Sequence, residues 1–306
     1  MSANVYIALQ QFCETDTEPL RVLKDAGHRV TENRLGRRLK AEEMAELLAD
    51  AEAVLAGVEP YDGPLLEKLP KLRCISRCGA GTDSVDLEAA KKKGVAVLTT
   101  PDEVAQPVAE LTLGMMLALA RRFPQSVRNF DAGKWSKQTG FLLSEWTIGL
   151  VGFGRIGRAV ERLLRPMNPR ILACDPILRP DQFPQGVTPV SLNELLAQSD
   201  LVSVHVSGRP QDGPVLSGEQ IARMKPGSFI VNTARGYLVD ETALAGALTA
   251  GKLAGAALDV FEKEPYDGPL ARLPQVLCTP HVATLTRASR AAMELRCARN
   301  VVEFFR

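Results

Sequence analysis

The sequence lacks long apolar segments and an excess of charge of either sign. Its 306 residues include 37 basic and 36 acidic side chains, and the formal net charge is +1. We therefore expect no charge-driven partner such as nucleic acid or a membrane surface. No apolar run reaches the ~20 residues that span a bilayer. The first residues lack the basic segment and apolar core of a signal peptide, so a cytoplasmic location is expected.

Histidine and cysteine are scarce and scattered. The chain has three histidines and six cysteines, and no group of them has the spacing of metal ligands. We expect no metal site and reduced thiols in the protein core.

A glycine-rich segment is the most informative feature that the sequence does contain. The apolar run Thr147–Val151 leads directly into Gly152, Gly154 and Gly157, with the spacing G-x-G-x-x-G. The first glycine permits a tight turn, the second lets the backbone approach a pyrophosphate, and the third lets the next helix pack on the strand. Because a helical pattern follows, the segment predicts a dinucleotide whose phosphates lie at a helix N-terminus.

The acid that ends the next strand predicts which dinucleotide binds. The segment Arg170–Cys174 reads as a strand and is followed by Asp175, 18 residues after Gly157. This is close to the ~20 residues expected for the acid that binds a ribose 2′-hydroxyl. A carboxylate there repels a 2′-phosphate and favours NAD over NADP, whereas the nearby Arg179 favours NADP. We predict NAD from the acid at the strand end.

Strand and helix patterns alternate in both halves of the chain. Several strands of the second half are almost entirely apolar, which is typical of a parallel sheet covered on both faces. A helix from about Val104 to Arg122 is apolar almost all round and should be buried. The last helix, roughly Thr286–Phe304, has no strand after it, so we expect it to fold back onto the N-terminal half.

Four chemically useful side chains follow predicted strands of the second half: Arg235, Asp259, Glu264 and His281. In such sheets, ligands bind beyond the carboxyl ends of the strands. Oxidation of a 2-hydroxy acid removes a hydride from C2 and a proton from the hydroxyl group. Histidine suits the proton transfer, a carboxylate such as Glu264 orients the ring, and arginine can bind the substrate carboxylate with two hydrogen bonds.

Each of these residues also has a plain structural interpretation. Arg235 could be part of an ion pair, the two acids could be ordinary loop residues, and position alone does not separate a catalytic His281 from a structural one. Of the other histidines, His28 is expected at the surface and His205 is expected to be a hydrogen-bonded core residue. The order arginine, glutamate, histidine after a dinucleotide motif is more specific than any single member.

The chain resembles the D-isomer-specific 2-hydroxyacid dehydrogenases over nearly its whole length. The resemblance rests on six motifs, which are Gly79–Asp83, Val108–Leu111, Gly152–Gly157, Asn232–Gly236, Ala257–Pro265 and Thr279–His281. It implies that Arg235 binds the substrate carboxylate, that His281 is the acid/base, and that Glu264 supports it.

The same resemblance implies contacts for the substrate and for NAD. Backbone N–H groups near Gly79, Ala80 and Gly81 help to hold the substrate carboxylate. Arg155, Ile156 and Asp175 hold the pyrophosphate and ribose beside the three motif glycines. Two further candidates for cofactor contacts are Ala234 and Asp259, the latter at the nicotinamide carboxamide.

The fold implied is α/β, with two Rossmann-like doubly wound parallel-sheet domains and the active site in the cleft between them. The discontinuous substrate-binding domain would comprise residues 1–99 plus 284–306, and the NAD-binding domain residues 100–283. The family implies a homodimer that acts on a small-molecule 2-hydroxy or 2-keto acid.

Within this family the chain looks most like the phosphoglycerate dehydrogenases. Arg77 matches a basic residue that they carry before the glycine loop and that can meet a substrate phosphate. Two segments depart from the family pattern, His205–Ser207 and Ala283–Thr284. Because the chain ends near the catalytic core, we expect no regulatory domain.

Three alternatives to phosphoglycerate dehydrogenase remain open. They are a hydroxypyruvate or glyoxylate reductase, a non-enzymatic NAD-binding regulator like the corepressors of this fold, and formate dehydrogenase. The last is disfavoured because formate dehydrogenases carry glutamine at the position of Glu264.

Overall fold

A computed structural model describes residues 2–306, and the chain divides into two compact units. Unit 1 extends to Val104 and resumes at Thr284, whereas unit 2 is Ala105–Ala283. Each unit contains one sheet, and every strand pair in both sheets is parallel. The predicted class, two doubly wound α/β domains, is confirmed.

The N-terminal part of unit 1 alternates strands and helices in the order β2-β1-β3-β4-β5 across the sheet. The strand order reverses between β1 and β3, where ligands of such sheets bind. The elements are β1 Asn4–Ile7, α1 Glu18–Asp25, β2 Arg29–Glu32, α2 Ala41–Leu47, β3 Ala53–Ala56, α3 Gly63–Glu67, β4 Cys74–Arg77, α4 Leu87–Lys93 and β5 Ala96–Leu98.

Unit 2 has a seven-stranded sheet in the order β12-β11-β10-β9-β6-β7-β8, which reverses between β6 and β9. Its first elements are α5 Ala105–Ala120, α6 Phe123–Asp131, β6 Thr147–Val151, α7 Arg155–Leu164, β7 Arg170–Cys174, β8 Val187–Pro189 and α8 Leu192–Gln198. The remaining elements are β9 Leu201–Val204, α9 Gly218–Arg223, β10 Ser228–Asn232, α10 Glu241–Thr249, β11 Leu253–Leu258 and β12 Val276–Cys278.

The last helix, α11 Arg287–Phe304, belongs to unit 1, as its lack of a following strand led us to expect. The Thr286 hydroxyl accepts the Ser289 N–H at 3.2 Å and caps the helix. The Ser76 hydroxyl of β4 donates to the Cys297 carbonyl at 2.9 Å, and apolar side chains of α11 pack on the strands. The helix therefore covers one face of the unit 1 sheet.

Local signals in the sequence explain where several helices begin. The carboxylates of Asp86 and Asp240 and the hydroxyl of Ser191 accept N–H groups of the first helical turn. The helix predicted from Val104 to Arg122 is α5, which buries seven side chains and ends two residues earlier. Among residues 2–306, no helix combines the length and apolar character needed to cross a membrane.

Two glycines of unit 2 provide a matched test of packing. A Cβ on Gly149, in the middle of β6, would lie 2.4 Å from both Leu195 Cδ2 and Ser199 Oγ, whereas one on Gly246 of α10 would meet nothing within 4 Å. Gly149→Ala should lower the free energy of unfolding by about 1–3 kcal/mol through overpacking. Gly246→Ala should raise it by about 0.5–1 kcal/mol, because alanine loses less backbone entropy in a helix.

Thermal and denaturant unfolding of the two variants, followed by tryptophan fluorescence, checks both signs. Equal midpoints for Gly149→Ala and the parent chain would contradict the close packing of β6 against α8.

Candidate active site

The glycine loop between β6 and α7 is fixed by close backbone contacts. Gly152 has φ +93°, and a Cβ there would lie 2.7 Å from the His205 carbonyl carbon. A Cβ on Gly157 would lie 2.4 Å from the Gly152 carbonyl oxygen. Only glycine fits at these two positions, because larger residues would push the loop away from β9 and from α7.

Gly154, the middle glycine of the motif, differs from Gly152 and Gly157, because no nearby protein atom excludes a side chain there. A Cβ on Gly154 would meet nothing within 4 Å, and the residue is exposed at the N-cap of α7. Arg155 and Ile156 form the first turn of this helix, where backbone N–H groups have no partner inside the helix. Open space beside a helix N-terminus fits the pyrophosphate of a dinucleotide.

Asp175 follows β7 and is bound to this loop. Its Oδ2 accepts the Phe153 N–H at 2.9 Å, and its Oδ1 accepts the Ile177 N–H at 3.0 Å. Each carboxylate oxygen keeps a second acceptor site, which suits the hydroxyl groups of a ribose. Arg179, the residue that favoured NADP, lies 3.2 Å from Asp181 in an exposed ion pair.

His281 and Glu264 are in direct contact. Glu264 Oε2 lies 2.9 Å from His281 Nδ1, and Glu264 Oε1 accepts the Phe261 N–H at 3.1 Å. When Nδ1 carries the proton that the carboxylate accepts, Nε2 of the neutral ring is a proton acceptor. The side chains are 44% and 38% exposed, respectively, so a small molecule can reach them.

The segment that carries His281 is held by Asp259, which is fully buried. The Asp259 carboxylate accepts the Thr279 hydroxyl at 2.5 Å and the N–H groups of Val282 and Ala283 at 2.9 and 3.0 Å. The His281 N–H donates to the Asp259 carbonyl at 2.8 Å, and His281 itself has φ +55°. Sequence reasoning offered Asp259 as a cofactor contact or a loop acid and missed that it shapes this turn.

Arg235 lies on a loop that a buried asparagine organises. The Asn232 side chain donates to the Arg235 carbonyl at 2.8 Å and accepts the Ala234 N–H at 3.0 Å. The half-buried guanidinium of Arg235 donates to the Ala234 carbonyl at 2.7 Å. The role of Asn232 was not predicted from the sequence, although its position at the end of β10 was a usable signal.

The loops after β10 and β11 meet at Gly236. A Cβ on Gly236 would lie only 1.8 Å from the Phe261 carbonyl carbon, so no other residue fits there. Phe261 in turn binds Glu264, which contacts His281. A chain of contacts thus links the loop that carries Arg235 to the histidine and its carboxylate.

The glycine loop of unit 1 follows β4. Gly79 has φ +144°, and its N–H donates to the Thr100 hydroxyl at 2.9 Å. Ala80 is exposed and Gly81 is half-buried. The Arg77 side chain, for which a phosphate contact was expected, donates from Nη1 to the Cys78 carbonyl and lies against Gly79.

The structure corrects the expectations for the two other histidines. His28 was expected at the surface, but it is buried, and its Nδ1 accepts the Ala3 N–H at 3.2 Å. His205 was expected to be a hydrogen-bonded core residue. The residue is buried as expected, but neither ring nitrogen has a hydrogen-bond partner among residues 2–306. Burial lowers the pKa of His205 to about 3, so the ring is neutral at physiological pH. Within the same described range, no cluster of three or more His, Cys, Asp or Glu is placed to hold a metal ion.

Gly154→Ala tests the dinucleotide site without disturbing the fold. The added methyl group enters open space, so the unfolding midpoint should change little. It would occupy the space proposed for the pyrophosphate and should weaken NADH binding about 10-fold or more, or ~1.4 kcal/mol. Titration by NADH fluorescence measures this, with Gly246→Ala as the control. An unchanged dissociation constant would place the pyrophosphate elsewhere.

The sequence matches a known family model and several known proteins. Residues 113–283 match the family model "D-isomer specific 2-hydroxyacid dehydrogenase, NAD binding domain". A D-3-phosphoglycerate dehydrogenase of Methanocaldococcus jannaschii is 38% identical over 90% of this chain and 53% of its own length. A glyoxylate reductase of Korarchaeum cryptofilum is 37% identical over 85% of this chain and 82% of its own length.

A solved structure shows that the similarity extends over almost the whole chain. The crystal structure of a glyoxylate reductase from Paecilomyes thermophila is 30% identical, with a TM-score of 0.88 and coverage of 98% of this chain and 94% of that chain. The chain spans about half the length of the phosphoglycerate dehydrogenases that it matches. The family model covers more than half of the sequence, so the chain belongs to the D-isomer-specific 2-hydroxyacid dehydrogenases and residues 113–283 are its NAD-binding domain.

Proposed function

We propose that the chain is an NAD-dependent dehydrogenase that interconverts small D-2-hydroxy acids and their 2-keto acids. The observation that carries this proposal is the 2.9 Å contact between His281 and Glu264. It lies in the same unit as the glycine loop and Arg235. A histidine oriented by a carboxylate suits proton transfer, which NAD binding alone does not need, and this favours the enzyme. Corepressors of this fold can keep the same residues, so turnover of an acid substrate is what separates the two alternatives.

His281 moves the proton in this proposal. With Nδ1–H donated to Glu264, Nε2 takes the proton of the substrate hydroxyl during oxidation and returns it to the keto oxygen during reduction. The Glu264 carboxylate fixes the ring orientation and stabilises the imidazolium that forms. Bound NAD supplies the group that accepts the C2 hydride, and NADH supplies the hydride in the reverse direction.

Arg235 orients the substrate. Its planar guanidinium can bind the substrate carboxylate through two parallel hydrogen bonds. Because the side chain is half-buried, the attraction between the two charges is stronger than in bulk water. The Asn232 hydrogen bonds and the close approach at Gly236 hold the loop backbone, so the guanidinium is presented from a fixed support.

Asp259 positions His281 by holding the turn that carries it. Its three accepted hydrogen bonds and its carbonyl fix the turn from Thr279 to Ala283. The Asp259 carboxylate is fully buried, so it acts on the site through this turn, and the contact with the nicotinamide carboxamide that was expected from the sequence is not part of the proposal. We propose a positioning role for this residue.

The substrate class follows from what the relatives use. Their names include D-3-phosphoglycerate dehydrogenase and glyoxylate reductase. We propose a substrate of this size range, either D-3-phosphoglycerate or the unphosphorylated acids glycerate and glycolate with their keto forms. NADH oxidation with 3-phosphohydroxypyruvate, hydroxypyruvate and glyoxylate tests the proposal. Turnover of none of the three, with tight NADH binding retained, would favour the regulator.

The chain is also proposed to act as a homodimer. Unit 2 exposes a patch of large apolar side chains on α6 and the segment after it, which we call the α6 patch: Phe123, Val127, Phe130 and Trp135, which are 55%, 56%, 68% and 84% exposed. The rings of the last two lie 6.3 Å apart. A contiguous exposed apolar patch is typical of a protein interface, and the family resemblance implies a second copy of the chain as the partner.

His281→Ala should lower kcat about 10²- to 10⁴-fold, because no other group takes its proton-transfer role. NADH binding should remain close to that of the parent chain. Glu264→Gln should lower kcat by a smaller factor, about 10-fold, since the amide oxygen can still accept the Nδ1–H but carries no charge to stabilise the imidazolium. Steady-state kinetics and NADH titration measure both. Glu262→Gln, an exposed acid nearby, is the control, and near-normal kcat for His281→Ala would remove this residue from the mechanism.

The double variant Phe130→Asp, Trp135→Asp should convert most of the dimer to monomer, because it places two charges in the α6 patch. Size-exclusion chromatography with light scattering should give about twice 33.2 kDa for the parent chain and 33.2 kDa for the variant. Leu35→Asp changes an exposed apolar residue of unit 1 and should leave the mass unchanged. A monomeric parent chain would refute the dimer.

A further inference from the structure

Thr112 is a buried polar side chain that the proposed reaction does not use. Seven side chains of α5 are buried; six of them are apolar, and the seventh is Thr112, which is fully buried. A hydroxyl group taken out of water destabilises the fold unless it has hydrogen-bond partners. The presence of Thr112 among apolar neighbours is therefore explained by the partners of its hydroxyl group.

The Thr112 hydroxyl has two partners, which together fix the direction of its hydrogen bonds. Thr112 Oγ1 lies 2.7 Å from the Val108 carbonyl oxygen and 2.8 Å from Thr233 Oγ1. Because a carbonyl oxygen can only accept, Thr112 donates its single hydroxyl proton to Val108. The Thr233 hydroxyl is then the donor to Thr112, and this bond joins α5 to the segment after β10.

Thr233 begins the loop that carries Arg235. It follows Asn232, the last residue of β10, and is only 6% exposed, so bulk water does not replace Thr112 as its partner. The loop is thus held from three directions. The Asn232 side chain holds it from within, Gly236 fits against the loop after β11, and Thr112 holds it from α5.

The helix that carries Thr112 is a rigid support for this loop. Ala109, Met116 and Leu119 of α5 are buried in one core cluster with Phe229 and Val231 of β10. Side chains in such a core are closely packed and move little. Since both ends of the hydrogen bond belong to elements of one core, the bond constrains the backbone at the start of the loop.

We propose that Thr112 is a positioning residue for Arg235, on which it acts through Thr233. This inference deepens the proposed function and rests on it. The guanidinium binds the substrate carboxylate through two parallel hydrogen bonds, and a displacement of about 1 Å is enough to impair such an arrangement. Thr112 touches neither substrate nor cofactor; it fixes the backbone from which the guanidinium extends.

Thr112→Val replaces the hydroxyl with a methyl group of similar size and leaves the Thr233 hydroxyl without its acceptor. This hydroxyl then turns or moves towards another partner, which displaces the loop. KM for the 2-keto acid should rise about 10-fold and kcat should fall less than about 3-fold, because Arg235 binds the carboxylate in the ground state and the transition state alike. Steady-state kinetics with the best substrate among 3-phosphohydroxypyruvate, hydroxypyruvate and glyoxylate measures both constants.

Two further variants separate positioning from a contribution to stability alone. Thr112→Ser restores the hydroxyl and should recover most of the parent KM. Thr249→Val is a matched control, because Thr249 Oγ1 also donates to the carbonyl four residues earlier, that of Ala245, at 2.8 Å, but lies exposed on α10. It should leave KM unchanged. A lower unfolding midpoint for Thr112→Val with the parent KM would show a structural role only and would overturn the inference.

Thr233→Val removes the same hydrogen bond from the loop side and keeps the inference testable if Thr112→Val does not fold. Its KM should also rise. If the two hydroxyls act as a pair, the changes in KM do not add, and the double variant Thr112→Val, Thr233→Val should resemble either single variant. Additive changes would show that the two residues act independently and would overturn the inference.

Turnover by the parent chain separates failure of the inference from failure of the proposed function. If the parent chain reduces one of the three acids and both valine variants keep its KM, the inference fails and the proposed function stands. If the parent chain reduces none of the three, the proposed function fails and the inference fails with it.

Discussion

Burial of the Asp259 carboxylate is the constraint on which the site in unit 2 depends. A buried carboxylate must have donors around it, and the turn from Thr279 to Ala283 supplies three of them. This turn holds His281 in a left-handed backbone conformation that few residues other than glycine adopt. Without Asp259, neither the position of the histidine nor its contact with Glu264 would be determined.

Both units use the same physical device at the carboxyl edge of the sheet. In unit 2, buried Asp259 organises the segment after the neighbouring strand β12. In unit 1, buried Glu59 follows β3 and accepts the Gly57 N–H at 2.8 Å. In each case backbone N–H groups of the surrounding loop offset part of the cost of burying a carboxylate.

Much of the site was predictable because its signals are local. The spacing of Gly152, Gly154 and Gly157 reflects contacts made within one turn, and the structure reproduces two of them as close approaches. The pairing of His281 with Glu264 followed from the rule that parallel strands end at one edge. The caps that the structure shows at Asp86, Ser191 and Asp240 are local signals of the same kind.

What the sequence by itself determined is the fold class, the dinucleotide loop and the set of catalytic candidates, since each depends on spacing or periodicity along the chain. Only the tertiary structure decided what surrounds each side chain. His205 was expected to be hydrogen-bonded, but neither of its ring nitrogens has a partner among residues 2–306. Burial and hydrogen bonding depend on neighbours that are remote in the sequence, such as Asp259 for the turn that begins at Thr279, and no local pattern records them.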